Sequence, residues 1–127
     1  MPNRLRARLL AATLVLAACG PTRRSSTTPP ATIVFTNDSA DLAEVYAVRS
    51  SGGAIRIGTV EAGRTTQLRV PATALGGDGT VTFTARIFAR PRVTPSSGPV
   101  PLREGESVAV RLSADLRMLS VLPVRQP

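Results

Sequence analysis

Thr80–Arg90 reads TVTFTARIFAR. Val81, Phe83, Ala85, Ile87 and Ala89 alternate with Thr80, Thr82, Thr84 and Arg86. Successive side chains of an extended chain point to opposite faces, so this spacing predicts a long strand that is apolar on one side and wet on the other. Phe88 breaks the pattern as an aromatic on the outer parity. The same period of two recurs in TIVFT (32–36), EVYAVRS (44–50), AIRIGTV (54–60), TTQLRV (65–70), SVAVRLS (107–113) and RMLSVLPV (117–124). That makes seven strands, and no segment carries a helical spacing.

Turn residues separate these runs. Ser51-Gly52-Gly53 is short enough to close a hairpin, and Gly76-Gly77-Asp78-Gly79 offers positive-φ positions at the entry of the long strand. PATAL, Pro71–Leu75, reads as one helical turn with proline at its start. A glycine feeds a period-two run at both Gly63 and Gly105, as expected for two equivalent strand entries. Seven short strands in about 95 residues without a helix predict an all-β fold: a single antiparallel β-sandwich of about seven strands, immunoglobulin-like or transthyretin-like. The Cys, Trp and Cys of antibody domains are absent from the sandwich region. The segments VYAV, RIGTV and GRTTQLRVP resemble small secreted β-proteins of GC-rich bacteria, a resemblance that implies no activity.

The N-terminus has a different character. Arg4, Arg6 and Arg8 precede an apolar run, Leu9 to Ala18, broken only by Thr13. This is the pattern of a signal peptide, and at about ten residues it is half the roughly 20 a membrane-spanning helix needs. Leu16-Ala17-Ala18-Cys19 resembles the lipobox of bacterial lipoproteins. The resemblance implies cleavage between Ala18 and Cys19, with the Cys19 thiol carrying diacylglycerol and its amine an acyl chain such as palmitate. Two or three acyl chains give the stable attachment that one does not. The alternative is an ordinary secretory signal followed by a free thiol. On the lipoprotein reading residues 1–18 are the signal peptide, 19–30 a lipidated Pro/Ser/Thr tether and 31–127 the sandwich. Gly20 stands where aspartate would favour inner-membrane retention in enteric lipoproteins. The expected location is thus the cell envelope, on the periplasmic face of an outer membrane where the cell has one.

The chain carries 16 basic residues, all arginine, against 8 acidic ones, for a net charge of +8. Three of those arginines belong to the signal. With no histidine and no lysine, the usual bases and amines of nucleophilic catalysis are missing, as are the preferred ligands of zinc and copper. The expectation is a protein that is not an enzyme and needs no cofactor or metal. A calcium loop would draw on Asn37, Asp38 and Asp41, and an enzyme acting on glycans or lipids would need Asp38, Asp41 and Glu104 to converge. Glu106 pairs in sequence with Glu104.

Arg56, Arg69, Arg86, Arg111 and Arg117 fall on the outward parity of their strands. They are either a surface for an acidic polymer or partner, or a solvated face made of arginine by compositional bias. Nucleic acid is disfavoured by export and by the lack of exposed aromatics. PRVTPSSGPVP, Pro91–Pro101, reads as a stiff loop that docks a partner or stops the long strand. The expected function is a membrane-anchored, non-catalytic binding or structural module of the envelope, with an accessory lipoprotein of an envelope or secretion complex as the alternative.

Overall fold

The computed structural model describes residues 28–124. The expected signal peptide, the expected cleavage site between Ala18 and Cys19, most of the expected tether and the last three residues lie outside the described residues. Eight strands follow in order: β1 (Ala31–Asn37), β2 (Ala43–Arg49), β3 (Ala54–Val60), β4 (Thr65–Val70), β5 (Thr80–Ile87), β6 (Ser96–Pro101), β7 (Ser107–Leu112) and β8 (Leu119–Pro123). The helical turn after Pro71 is a single 3-10 turn, Ala72–Ala74. Two four-stranded sheets form, β4-β1-β7-β8 (sheet A) and β3-β2-β5-β6 (sheet B).

The alternation sets which side chains meet between the sheets. Ile33 and Phe35 of β1, Val45 and Ala47 of β2, Val81, Phe83 and Ile87 of β5, and Val110 and Leu112 of β7 are all buried in one core. Each fully buried Val, Leu, Ile or Phe among them contributes roughly 1.5–3 kcal/mol of hydrophobic stabilisation. Leu116 joins the core from the β7–β8 connection with φ 63° and 5% exposure. A left-handed conformation costs a branched residue about 1–2 kcal/mol, a cost that burial of the side chain offsets.

Three features differ from the sequence expectation. First, there are eight strands, because the second half of the expected proline loop is strand β6. It tolerates Pro99 and Pro101 because it is an edge strand, where proline's missing N–H need not serve the ladder. Opposite the irregularity between Thr82 and Thr84, the Ser97 hydroxyl accepts the Phe83 amide at 2.9 Å. Second, β1 and β7 pair in parallel, so sheet A is mixed while sheet B is antiparallel throughout. Third, β5 stops at Ile87, leaving Phe88 and Ala89 in a turn closed by the Arg90 amide on the Ile87 carbonyl. Strands β1 and β2 lie in different sheets, whereas the first two strands of an immunoglobulin constant-type sandwich share one.

Candidate functional site

The topology gives the sandwich two distinct ends. The chain enters at Ala31, and the β2–β3, β4–β5 and β6–β7 connections lie at that end. The β1–β2, β3–β4, β5–β6 and β7–β8 connections lie at the other, as the strand directions require. Six or seven residues of strand separate the two ends by roughly 20 Å.

The sequence-predicted carboxylates divide between these ends. Asp38 and Asp41 sit in the β1–β2 connection, while Glu104 and Glu106 sit in the β6–β7 connection near the chain entry. Asp38 pairs with Arg111, whose guanidinium it holds more firmly protonated through a hydrogen bond and its charge. Asp41 lies 3.9 Å from Arg90, and Glu106 accepts the Arg103 amide at 2.9 Å. Among the described residues no three Asp or Glu side chains converge. A cleft of about 270 Å³ at the chain entry does bring Glu104 and Arg69 together with Thr28, Pro30 and Val70.

Asn37 is bound into the frame of the fold. It lies on the inward parity of β1 and is fully buried. Its amide donates to the Asp41 carbonyl at 2.8 Å and the Val60 carbonyl at 3.0 Å, while its oxygen accepts the Ser39 amide at 3.0 Å and hydroxyl at 2.7 Å. All the hydrogen-bonding capacity of the side chain is used, and Val60 belongs to the other sheet. The polar sequence NDSAD is therefore a clamp between β1 and β3. Its inward parity is the sequence signal for this role.

All five predicted arginines are exposed, and they occupy different surfaces. Arg69 and Arg111 lie on the outer face of sheet A, opposite Thr32 and Thr36 respectively. Arg56 and Arg86 lie on the outer face of sheet B, opposite Tyr46 and Glu44. Arg117 sits in the β7–β8 connection, 4.0 Å from Asp115. Between residues 28 and 124 ten arginines face eight carboxylates, so most of the net positive charge of the whole chain lies outside the sandwich.

The two outer faces differ in chemistry. Sheet A presents Thr32, Thr36, Thr65 and Ser107, with the Thr32 hydroxyl donating to that of Ser107 at 3.1 Å, around a small apolar row of Val34, Ala109 and Leu122. Sheet B holds both aromatics that reach the outer surface, Tyr46 and Phe88. The Tyr46 hydroxyl donates to Glu44 at 3.1 Å, and Arg56 lies 3.8 Å from the same carboxylate. Phe88 is 74% exposed, and its amide donates to the Leu42 carbonyl at 3.2 Å. Leu42, 38% exposed, thus extends the outer face beside it. Leu42 stands one residue before β2 on the outward parity, a signal that reading strand interiors alone passes over.

No family model, no curated protein and no solved structure matches the chain.

Proposed function

We propose that the protein is a lipid-anchored, non-catalytic binding module of the cell envelope, tethered through Cys19 and presenting the far end of its sandwich to a partner. The observation that carries this reading is the separation of the two ends. The chain enters at Ala31, and the connections bearing the exposed Phe88 and Met118 lie roughly 20 Å away. A tether joined at the entry end leaves these connections turned away from the membrane. The eleven residues 20–30 extend the reach by about 40 Å at most. The scattered carboxylates support a binding role over hydrolysis.

Expression of the full chain beside Cys19→Ser tests the anchor. The expected result is a membrane-bound product with the mass of a diacylated or triacylated Cys19 N-terminus, and a variant that retains its signal peptide. A soluble, unacylated product beginning at Cys19 overturns the anchor. Co-purification of a large envelope complex would assign the module to the accessory class.

A further inference from the structure

The β5–β6 connection is built to hold its shape. The Arg90 amide donates to the Ile87 carbonyl at 3.1 Å and the Val93 amide to the Arg90 carbonyl at 3.0 Å, making two successive turns. Val93 packs against the core, Pro95 is buried, and the Pro95 carbonyl accepts the Ala85 amide at 3.1 Å. Phe88 is therefore displayed from a pinned segment, and a partner loses little loop entropy on meeting it.

The charges around Phe88 are unevenly matched. Glu44, opposite Arg86, is engaged by Tyr46 and Arg56, and Asp41 is engaged by Arg90. Among the described residues neither Arg86 nor Arg92 has a carboxylate in ion-pair contact. Phe88, the most exposed aromatic of the fold, thus shares this end of sheet B with two arginines that have no carboxylate in ion-pair contact among the described residues. Aromatic and arginine side chains are the types that dominate binding energy at protein interfaces, and a guanidinium matches a carboxylate in a bidentate fork.

We propose that this end of sheet B, which Phe88 and Leu42 share with Arg86 and Arg92, docks an acidic protein segment that carries an apolar side chain. The apolar side chain covers Phe88 and Leu42, and the flanking carboxylates meet the two arginines. An acidic polysaccharide satisfies the arginines and leaves the apolar pair wet, which is why the protein segment is favoured. This assignment rests on the binding-module reading and names its surface; it does not depend on the lipid.

The test is in-cell photocrosslinking of the full chain. The photoreactive residue p-benzoylphenylalanine replaces Phe88 in one variant and Val34, on the outer face of sheet A, in another, and the captured peptide is sequenced by mass spectrometry. The expected result is an adduct from position 88, absent from position 34, on a segment rich in Asp and Glu with an apolar side chain. Its yield should fall at least tenfold when Arg86→Glu and Arg92→Glu are added, and survive Arg86→Lys with Arg92→Lys. Capture of a glycan, of a segment without acidic residues, or of the same segment from both positions overturns the proposal. An adduct from position 34 alone defeats the surface assignment and leaves the module reading standing. No adduct from either position defeats both.

Discussion

Sheet A and sheet B share one core and have four strands each, yet they differ in regularity and in what their outer faces carry. Sheet A takes in the parallel β1–β7 pair, keeps an unbroken register in all its pairings and covers its outer face with hydroxyls. Sheet B is antiparallel but irregular in both of its outer pairs, with shifts between Val45 and Tyr46 and between Thr82 and Thr84. Such irregularities re-aim side chains and blunt sheet edges. Sheet B is also the sheet whose outer face carries Tyr46, Arg56 and Arg86, with Phe88 exposed in the turn just past the end of β5. On the proposed docking reading, the regular sheet is the platform and the irregular one carries the binding surface.

The largest effect should come from cutting the clamp that joins the sheets. Asn37→Ala removes the side-chain donor to the Val60 carbonyl and the acceptor of the Ser39 amide, while the Ser39 hydroxyl can still donate to the Asp41 carbonyl, and should cost about 3 kcal/mol in urea unfolding. A loss under about 0.5 kcal/mol would mean that the sheets are held together by apolar packing alone.

Gly58 probes the irregular sheet where it approaches the regular one. A Cβ at this position would come within 2.5 Å of Leu68 Cδ2 on β4. Gly58→Ala should destabilise by about 1–3 kcal/mol through overpacking. Adding Leu68→Val should recover part of that loss, a non-additivity that a double-mutant cycle reads directly. Simple additivity would show that β3 and β4 do not touch as described.

The smallest effect compares an aspartate-capped turn from each sheet. Asp78, before β5, is held below the usual aspartate range chiefly by the Thr80 amide and then by the Thr80 hydroxyl. Asp115, in the β7–β8 connection, is held low chiefly by the Ser113 hydroxyl and then by the Arg117 amide. A carboxylate whose pKa is depressed by folding contributes stability that is present above the unfolded value of about 3.9 and is lost as pH falls through the lower folded value. Asp78→Asn and Asp115→Asn should each flatten the loss of stability measured below about pH 4 and leave the shape of the profile between pH 6 and 8 unchanged. An unchanged acid slope in either variant would remove that turn from the comparison.

Much of this arrangement was legible in the chain. β3 and β4 match their period-two runs residue for residue, and β1, β2, β7 and β8 differ by a residue or two at their ends. β6 was hidden because SSGPVP has a single buried apolar side chain, Val100, and prolines that suit a loop as well as an edge. The exposure of Arg56, Arg69, Arg86 and Arg111 followed from parity, but their division between two faces did not, and Arg117, expected on a strand, lies in the β7–β8 connection before β8 begins. Arg69 and Arg86 look alike in sequence and end on opposite sides of the sandwich.

The sequence by itself determined that the domain is all-β, which side of nearly every strand is buried and where the chain turns, because these depend on local alternation and on residues that accept particular backbone angles. It also determined that the inward parity of β1 ends on a polar residue, Asn37. Tertiary structure alone decided that β1 pairs in parallel with β7, that Asn37 spans the sheets, and that Phe88, Leu42, Arg86 and Arg92 gather at one end. Those outcomes depend on which distant strands become neighbours, and a side-chain period of two gives each strand its inner and outer faces without naming the strand beside it.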